Sequence, residues 1–162
     1  MQAARILELL VLLLLANGTP IAAKKLLGGR CSYPVDRNIR FVDGRPLLGH
    51  SKTLRGIVLA ILVTATGAAL MNLGWWLGAL VGSAAMAGDL LSSFIKRRLG
   101  MPPSSKALGL DQIPEALFPL IVCRTWLSLT LVDIAVTVAL FFAGEIALSR
   151  LLFAWGLRDR PY

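Results

Sequence analysis

The chain has 162 residues, is 56% hydrophobic with a mean hydropathy of +0.71, and carries a formal net charge of +8. That composition is too apolar for a soluble domain of this size, and at roughly 20 residues per spanning helix the length suits four to six spans with no separate globular domain. The Lys and Arg residues flank apolar runs and form no aromatic-interleaved face, which argues against nucleic acid as a partner and for membrane orientation and phosphate binding.

The first apolar run, a span over about 5–23, contains Asn17, Gly18, Thr19 and Pro20, a combination that kinks a helix near its end. Arg5, the leucine-rich centre and small residues near Ala16 also fit a secretory signal peptide. The loop over 24–55 decides for a genuine span. Lys24, Lys25, Arg30, Arg37, Arg40, Arg45, Lys52 and Arg55 stand there against Asp36 and Asp43, an excess that stays in the cytoplasm and leaves the N-terminus outside. Span two covers about 56–73, and 72–74 is a tight turn. Span three, about 75–95, opens on the interfacial pair Trp75 and Trp76 and ends on Lys96, Arg97 and Arg98, again cytoplasmic.

The loop over 96–113, with Pro102, Pro103, Ser104, Ser105 and Gly109, is too polar and broken for hydrocarbon and is expected to cap the inner face. The apolar remainder turns near Arg124 to Asp133, which gives spans of about 114–127 and 130–153 and an Arg124 to Asp133 pair at the outer turn. Arg150, Arg158 and Arg160 then lie inside with the C-terminus. The expected fold is one all-α integral membrane domain over 1–162, with about five transmembrane helices, ordered cytoplasmic loops, the N-terminus outside and the C-terminus inside. Cys31 in a polar loop and Cys123 in an apolar run form no CxxC or disulfide pattern.

Asp89 carries the strongest chemical signal, because it lies about six residues, or roughly 9 Å, inside the last apolar residue of span three. Ser92, Ser93 and Lys96 follow at i+3, i+4 and i+7, and Gly78, Gly82 and Ala85 extend the same stripe outward. Small residues let a neighbouring helix approach, so this face belongs inside the bundle with Asp89 opening onto a cytoplasmic cavity. In the capping loop Asp111 reads either as the N-cap of span four or as a partner of Asp89 in holding Mg²⁺ against a nucleotide triphosphate. Arg97 and Arg98, with Lys106 and Gln112 of that loop, are further candidates for substrate contact. The segment Asp43 to Gly56 supplies Lys52, Arg55 and His50 as a backbone-and-cation cradle for phosphate, although it is no Walker A motif. His50 is the single histidine, which excludes a histidine-based metal cluster.

Three stretches, DGRPLLGHSKTLRG (Asp43 to Gly56), GDLLSSFIKRRLG (Gly88 to Gly100) and LDQIPEALFP (Leu110 to Pro119), together resemble the archaeal CDP-archaeol synthase family, relatives of the phosphatidate cytidylyltransferases. The resemblance implies Mg²⁺-dependent transfer of CMP from CTP to 2,3-bis-(O-geranylgeranyl)-sn-glycerol 1-phosphate with release of pyrophosphate. It implies Asp89 and Asp111 as metal ligands, with Lys96 as a catalytic cation beside them. Ser93, Lys96, Arg97, Lys52 and Arg55 would contact nucleotide or lipid phosphate. The chain departs from the family pattern at Pro114, where a second acidic residue usually stands and Glu115 follows instead. An enzyme acting on ester lipids and a small transporter component are the alternatives, the latter supported by a buried acid and a broken first span. The CDP-alcohol phosphotransferases are set aside because no span carries aspartates at i and i+4.

Overall fold

The computed structural model describes residues 2–105 and 107–154, so the expectations placed on Lys106, Arg158 and Arg160 lie outside the described residues. The order is α1 (Ala3–Leu27), α2 (Leu54–Leu70), α3 (Trp75–Arg98), α4 (Gln112–Val122) and α5 (Leu131–Ala154). Among the described residues there are five helices and no strand, and α1, α3 and α5 are each long and apolar enough to cross a bilayer. α2 has 17 residues and α4 has 11, or roughly 25 Å and 16 Å of helix, so both are shorter than a hydrocarbon core about 30 Å thick, α4 by about half.

Two span ends differ from the sequence expectation. α1 runs unbroken through Pro20 to Leu27, where Gly28 stops it with φ 53° and its N–H on the Lys24 carbonyl. Pro20 leaves the Ala16 carbonyl without its usual backbone donor, and the Thr19 hydroxyl donates to the Leu15 carbonyl at 2.5 Å in the same turn; both features favour a bend in a helix that nevertheless continues. α4 ends at Val122 instead of reaching 127, because residues 123–128 form successive turns with Ser128 at φ 50°. The tight turn between α2 and α3 is as expected, with Asn72 and Gly74 both at positive φ.

α3 is central and packs on α2, α4 and α1, while α5 closes the bundle against α4 and α1. In lipid no hydrophobic difference drives helices together, so close backbone approach does. A Cβ on Gly78 would sit 2.4 Å from the Thr64 carbonyl oxygen of α2, and one on Gly88 would sit 2.3 Å from the Pro114 carbonyl oxygen of α4. The expected small-residue stripe is therefore real, but it serves two neighbours: α2 toward the Trp75 end of α3 and α4 toward its Lys96 end. Gly88→Ala should lower stability by about 1–3 kcal/mol by pushing α4 off α3. Gly144→Ala is the control, since a Cβ there meets nothing within 4 Å. Thermal unfolding in detergent reads both, and equal midpoints would contradict the packing account.

At the end away from the loops, Asp133 accepts from the Gln2 N–H (3.0 Å), the Thr130 N–H (3.1 Å) and the Thr130 hydroxyl (2.7 Å). It is fully buried and makes no ion pair with Arg124, correcting that expectation. An uncharged donor set satisfies the carboxylate where the chain start meets the α5 N-terminus. Trp76 and Trp126 stack edge-to-face at 5.9 Å at this same end, as suits a membrane interface.

Candidate active site

The loop between α1 and α2 is organised by one carboxylate. Asp36 is 5% exposed and accepts N–H bonds from Leu48 (2.8 Å), Gly49 (2.9 Å) and Asn38 (3.0 Å). Burial pushes its pKa up, but the Gly49, Leu48 and Asn38 donors outweigh that and hold it below the ordinary 3.8. A depressed folded pKa contributes stability that is complete above the unfolded value and is lost as pH falls through the folded one. Thermal stability should therefore drop below about pH 4, and the drop should be smaller in Asp36→Asn, which starts less stable; parallel pH profiles would contradict this.

Gly49, at φ 94°, brings the loop against Pro103 and Arg97, where a Cβ would lie 3.3 Å and 3.5 Å from their side chains. Three residues on, Lys52 places its Nζ 2.5 Å and 2.6 Å from the two Asp89 oxygens. Thr53 then caps α2 by accepting from the Gly56 N–H at 3.2 Å.

On the other side Lys96, 6% exposed, pairs with Asp111 at 2.6 Å and donates to the Ser105 carbonyl at 2.9 Å. Asp111 makes no side-chain cap bond to α4: its other oxygen accepts from the Ala107 N–H at 2.9 Å, and Gln112 Oε1 accepts from the Gly109 N–H at 2.9 Å. Asp111 thus stands at the N-cap position of α4 while its carboxylate, on Lys96 and the Ala107 N–H, lines the cavity. Arg97 is 3% exposed and reaches Ser105 Oγ at 3.4 Å, while its Nε and Nη1 have no partner among the described residues. Buried guanidinium donors left open are costly unless an anion takes them.

These groups line a cavity of about 270 Å³, shared by Asp89, Asp111, Lys52, Ser93, Lys96, Arg97, Ser104, Ser105 and Gln112. Glu115 and Glu145 line it too, and Glu115 is within hydrogen-bonding reach of Asp89. The sequence left both glutamates without a role. Close packing at Gly88 brings the Glu115 backbone onto α3, so the acid lies beside Asp89 although Pro114 fills the family's usual position. A second cavity of about 180 Å³ adjoins at Lys52 and Asp89 and is lined by Lys24, His50, Thr53 and Arg55.

Two candidates are placed elsewhere. Ser92 is fully buried and donates to the Gly88 carbonyl at 2.9 Å, lining neither cavity. Arg98 is a structural staple: it pairs with Asp43 at 2.5 Å, donates to the Pro46 carbonyl at 2.5 Å and lies over the Phe41 and Phe94 rings at 4.6 Å and 5.1 Å. Arg45 returns a hydrogen bond to the Arg98 carbonyl. Arg55 spans both roles, since it ties the end of α1 through the Gly28 and Arg30 carbonyls while lining the second cavity.

The larger cavity offers carboxylate, hydroxyl and amide oxygens, the ligand type a hard divalent cation takes, beside the Met86 thioether and the Lys and Arg cations. No ready cluster of three His, Cys, Asp or Glu exists among the described residues.

The family profile for CarS-like CDP-archaeol synthase matches residues 3–162. The chain belongs to the CDP-archaeol synthase family. It is 31% identical to a CDP-archaeol synthase of Sulfurisphaera tokodaii over 157 residues, 92% of this chain and 90% of the relative. It is 40% identical to one of Pyrobaculum arsenaticum over 112 residues, 66% of each chain, and to one of Saccharolobus solfataricus over 85 residues, 49% of this chain and 51% of the relative. The alignments thus span from about half to nearly all of these relatives' length. A solved structure described as an intramembrane enzyme for archaeal membrane lipids biosynthesis superposes with a TM-score of 0.68 at 28% identity, covering 85% of this chain and 90% of that one. Membership makes this a membrane-embedded transferase of archaeal lipid synthesis.

Proposed function

We propose that the protein transfers CMP from CTP to 2,3-bis-(O-geranylgeranyl)-sn-glycerol 1-phosphate and releases pyrophosphate. The observation that carries this reading is Arg97, buried with two open donors beside the Lys52–Asp89 and Lys96–Asp111 pairs. Such an arrangement is a polyanion site with carboxylates at hand for the anion's metal.

Asp89 and Asp111 would hold Mg²⁺, which when bound screens charge on the triphosphate and favours departure of pyrophosphate. Lys52 and Lys96 pair with those carboxylates and are placed to turn to phosphate oxygens. Ser93 and Ser105 offer hydroxyl donors on the same wall. The lipid phosphate is already an oxyanion at neutral pH, so the site needs no strong base. Its work is to offset repulsion between two anions and to align the attack.

We place this site at the cytoplasmic face, because the basic 24–55 loop and the Lys96–Arg98 helix end stand on the same side. Cys31 is exposed there and Cys123 is fully buried. An impermeant maleimide should leave intact cells unlabelled and modify Cys31 only in opened membranes; labelling of Cys31 from outside would invert the topology. For the reaction, pyrophosphate should appear only when CTP, Mg²⁺ and the lipid phosphate are all present. Release from CTP without lipid would point to a hydrolase.

A further inference from the structure

The two cavities share the Lys52–Asp89 pair but differ in the kind of charge they carry. The larger sets Lys52, Lys96 and Arg97 against Asp89, Asp111, Glu115 and Glu145. The smaller has Lys24, Lys52 and Arg55 with His50, and among the described residues Asp89 is its single carboxylate.

A metal-bound nucleotide needs carboxylates for the ion as well as cations for the phosphates. A phosphomonoester brings no metal of its own and needs cations and polar hydrogens alone. The smaller cavity supplies those at the α2 N-terminus, a 17-residue helix whose first turn favours anions. Arg55 adds a positive charge to that cavity's lining while its Nη1 and Nη2 stay on the Arg30 and Gly28 carbonyls. Pro20 of α1, Ile57 of α2 and Leu90 of α3 give the same cavity an apolar wall, as the glycerol end of a membrane lipid requires.

We propose that this crevice, where α1, α2 and α3 meet at Lys24, His50 and Arg55, seats the lipid's phosphomonoester, while the nucleotide takes the larger cavity. The assignment rests on the cytidylyltransferase reading above. The substrates then meet across the wall formed by Lys52 and Asp89. An unprotonated phosphomonoester oxygen forms the new bond to the α-phosphorus, the bond from that phosphorus to the bridging oxygen breaks, and pyrophosphate leaves with the electron pair. No proton transfer and no redox partner are required.

The test is steady-state kinetics of the full chain in mixed micelles, varying the geranylgeranyl ether phosphate at saturating CTP and then the converse. Lys24 and His50 have exposed side chains, so Lys24→Ala and His50→Ala put little of the fold at risk. Retained thermal stabilisation by CTP with Mg²⁺ confirms an intact nucleotide site. Each variant should raise the lipid KM about tenfold, the loss expected for one charge-assisted contact, with the CTP KM unchanged. Lys24→Arg should recover most of the lipid KM. A rise in the CTP KM, equal rises in both, or no change in either overturns the assignment while leaving the reaction standing. A wild-type protein that makes no CDP-lipid overturns the function itself.

Discussion

Asp89→Asn should reduce turnover by about 100-fold or more while the protein still folds and inserts. The substitution keeps size and removes the charge that both holds Lys52 and, in the proposed reaction, ligates the metal. Loss of one partner from a half-buried pair also costs stability, so turnover is compared at a temperature where both proteins are folded by their thermal melts. Wild-type-like Mg²⁺-dependent turnover would remove Asp89 from the site. Asp111→Asn is expected to behave alike, since Asp111 pairs with Lys96 across the same cavity.

Arg97→Ala should be the most damaging change among the cations, with Lys96→Ala next and Arg124→Ala near wild type. Arg97 and Lys96 are 3% and 6% exposed on the cavity wall, whereas Arg124 lies in the turn after α4 and lines neither cavity. Removing a buried charge-assisted contact to phosphate costs roughly 1.5–3 kcal/mol, or about ten- to more than a hundredfold in kcat/KM. Arg97→Lys should recover little of this, because a point charge does not replace a planar fork of donors. An inactive Arg124→Ala beside a fully active Arg97→Ala would move the site to the opposite face.

The sequence made the architecture legible because its signals are local: apolar runs of span length, a basic loop after α1, and Trp75 and Trp76 at a helix start. It also marked most of the cavity, since Asp89, Ser93, Lys96 and Arg97 lie on one helix and Lys52 and Asp111 in flanking motifs. What it missed depends on register and packing. Arg98 reads like Arg97 in a basic run, but one residue further rotates the side chain by about 100°, away from the cavity and onto Phe41 and Phe94. Glu115 reaches Asp89 only because Gly88 has no side chain to hold α4 away. Asp111 and Asp89 were expected to come together on a metal, whereas in the fold each carries its own lysine on the wall of one cavity. Asp36 gave no motif signal at all, because its role is to accept three backbone N–H groups that only the folded loop presents.

The measurement that bears most directly on the central claim is the fate of the α-phosphate. Purified protein is incubated with α-labelled CTP, Mg²⁺ and either the geranylgeranyl ether phosphate or a diacyl ester phosphate, and the lipid phase is extracted. The account requires label in the lipid phase with the ether substrate, matched mole for mole by pyrophosphate and absent when Mg²⁺ or lipid is withheld. Label that stays in the aqueous phase under every condition, or that enters lipid only with the ester substrate, would contradict it.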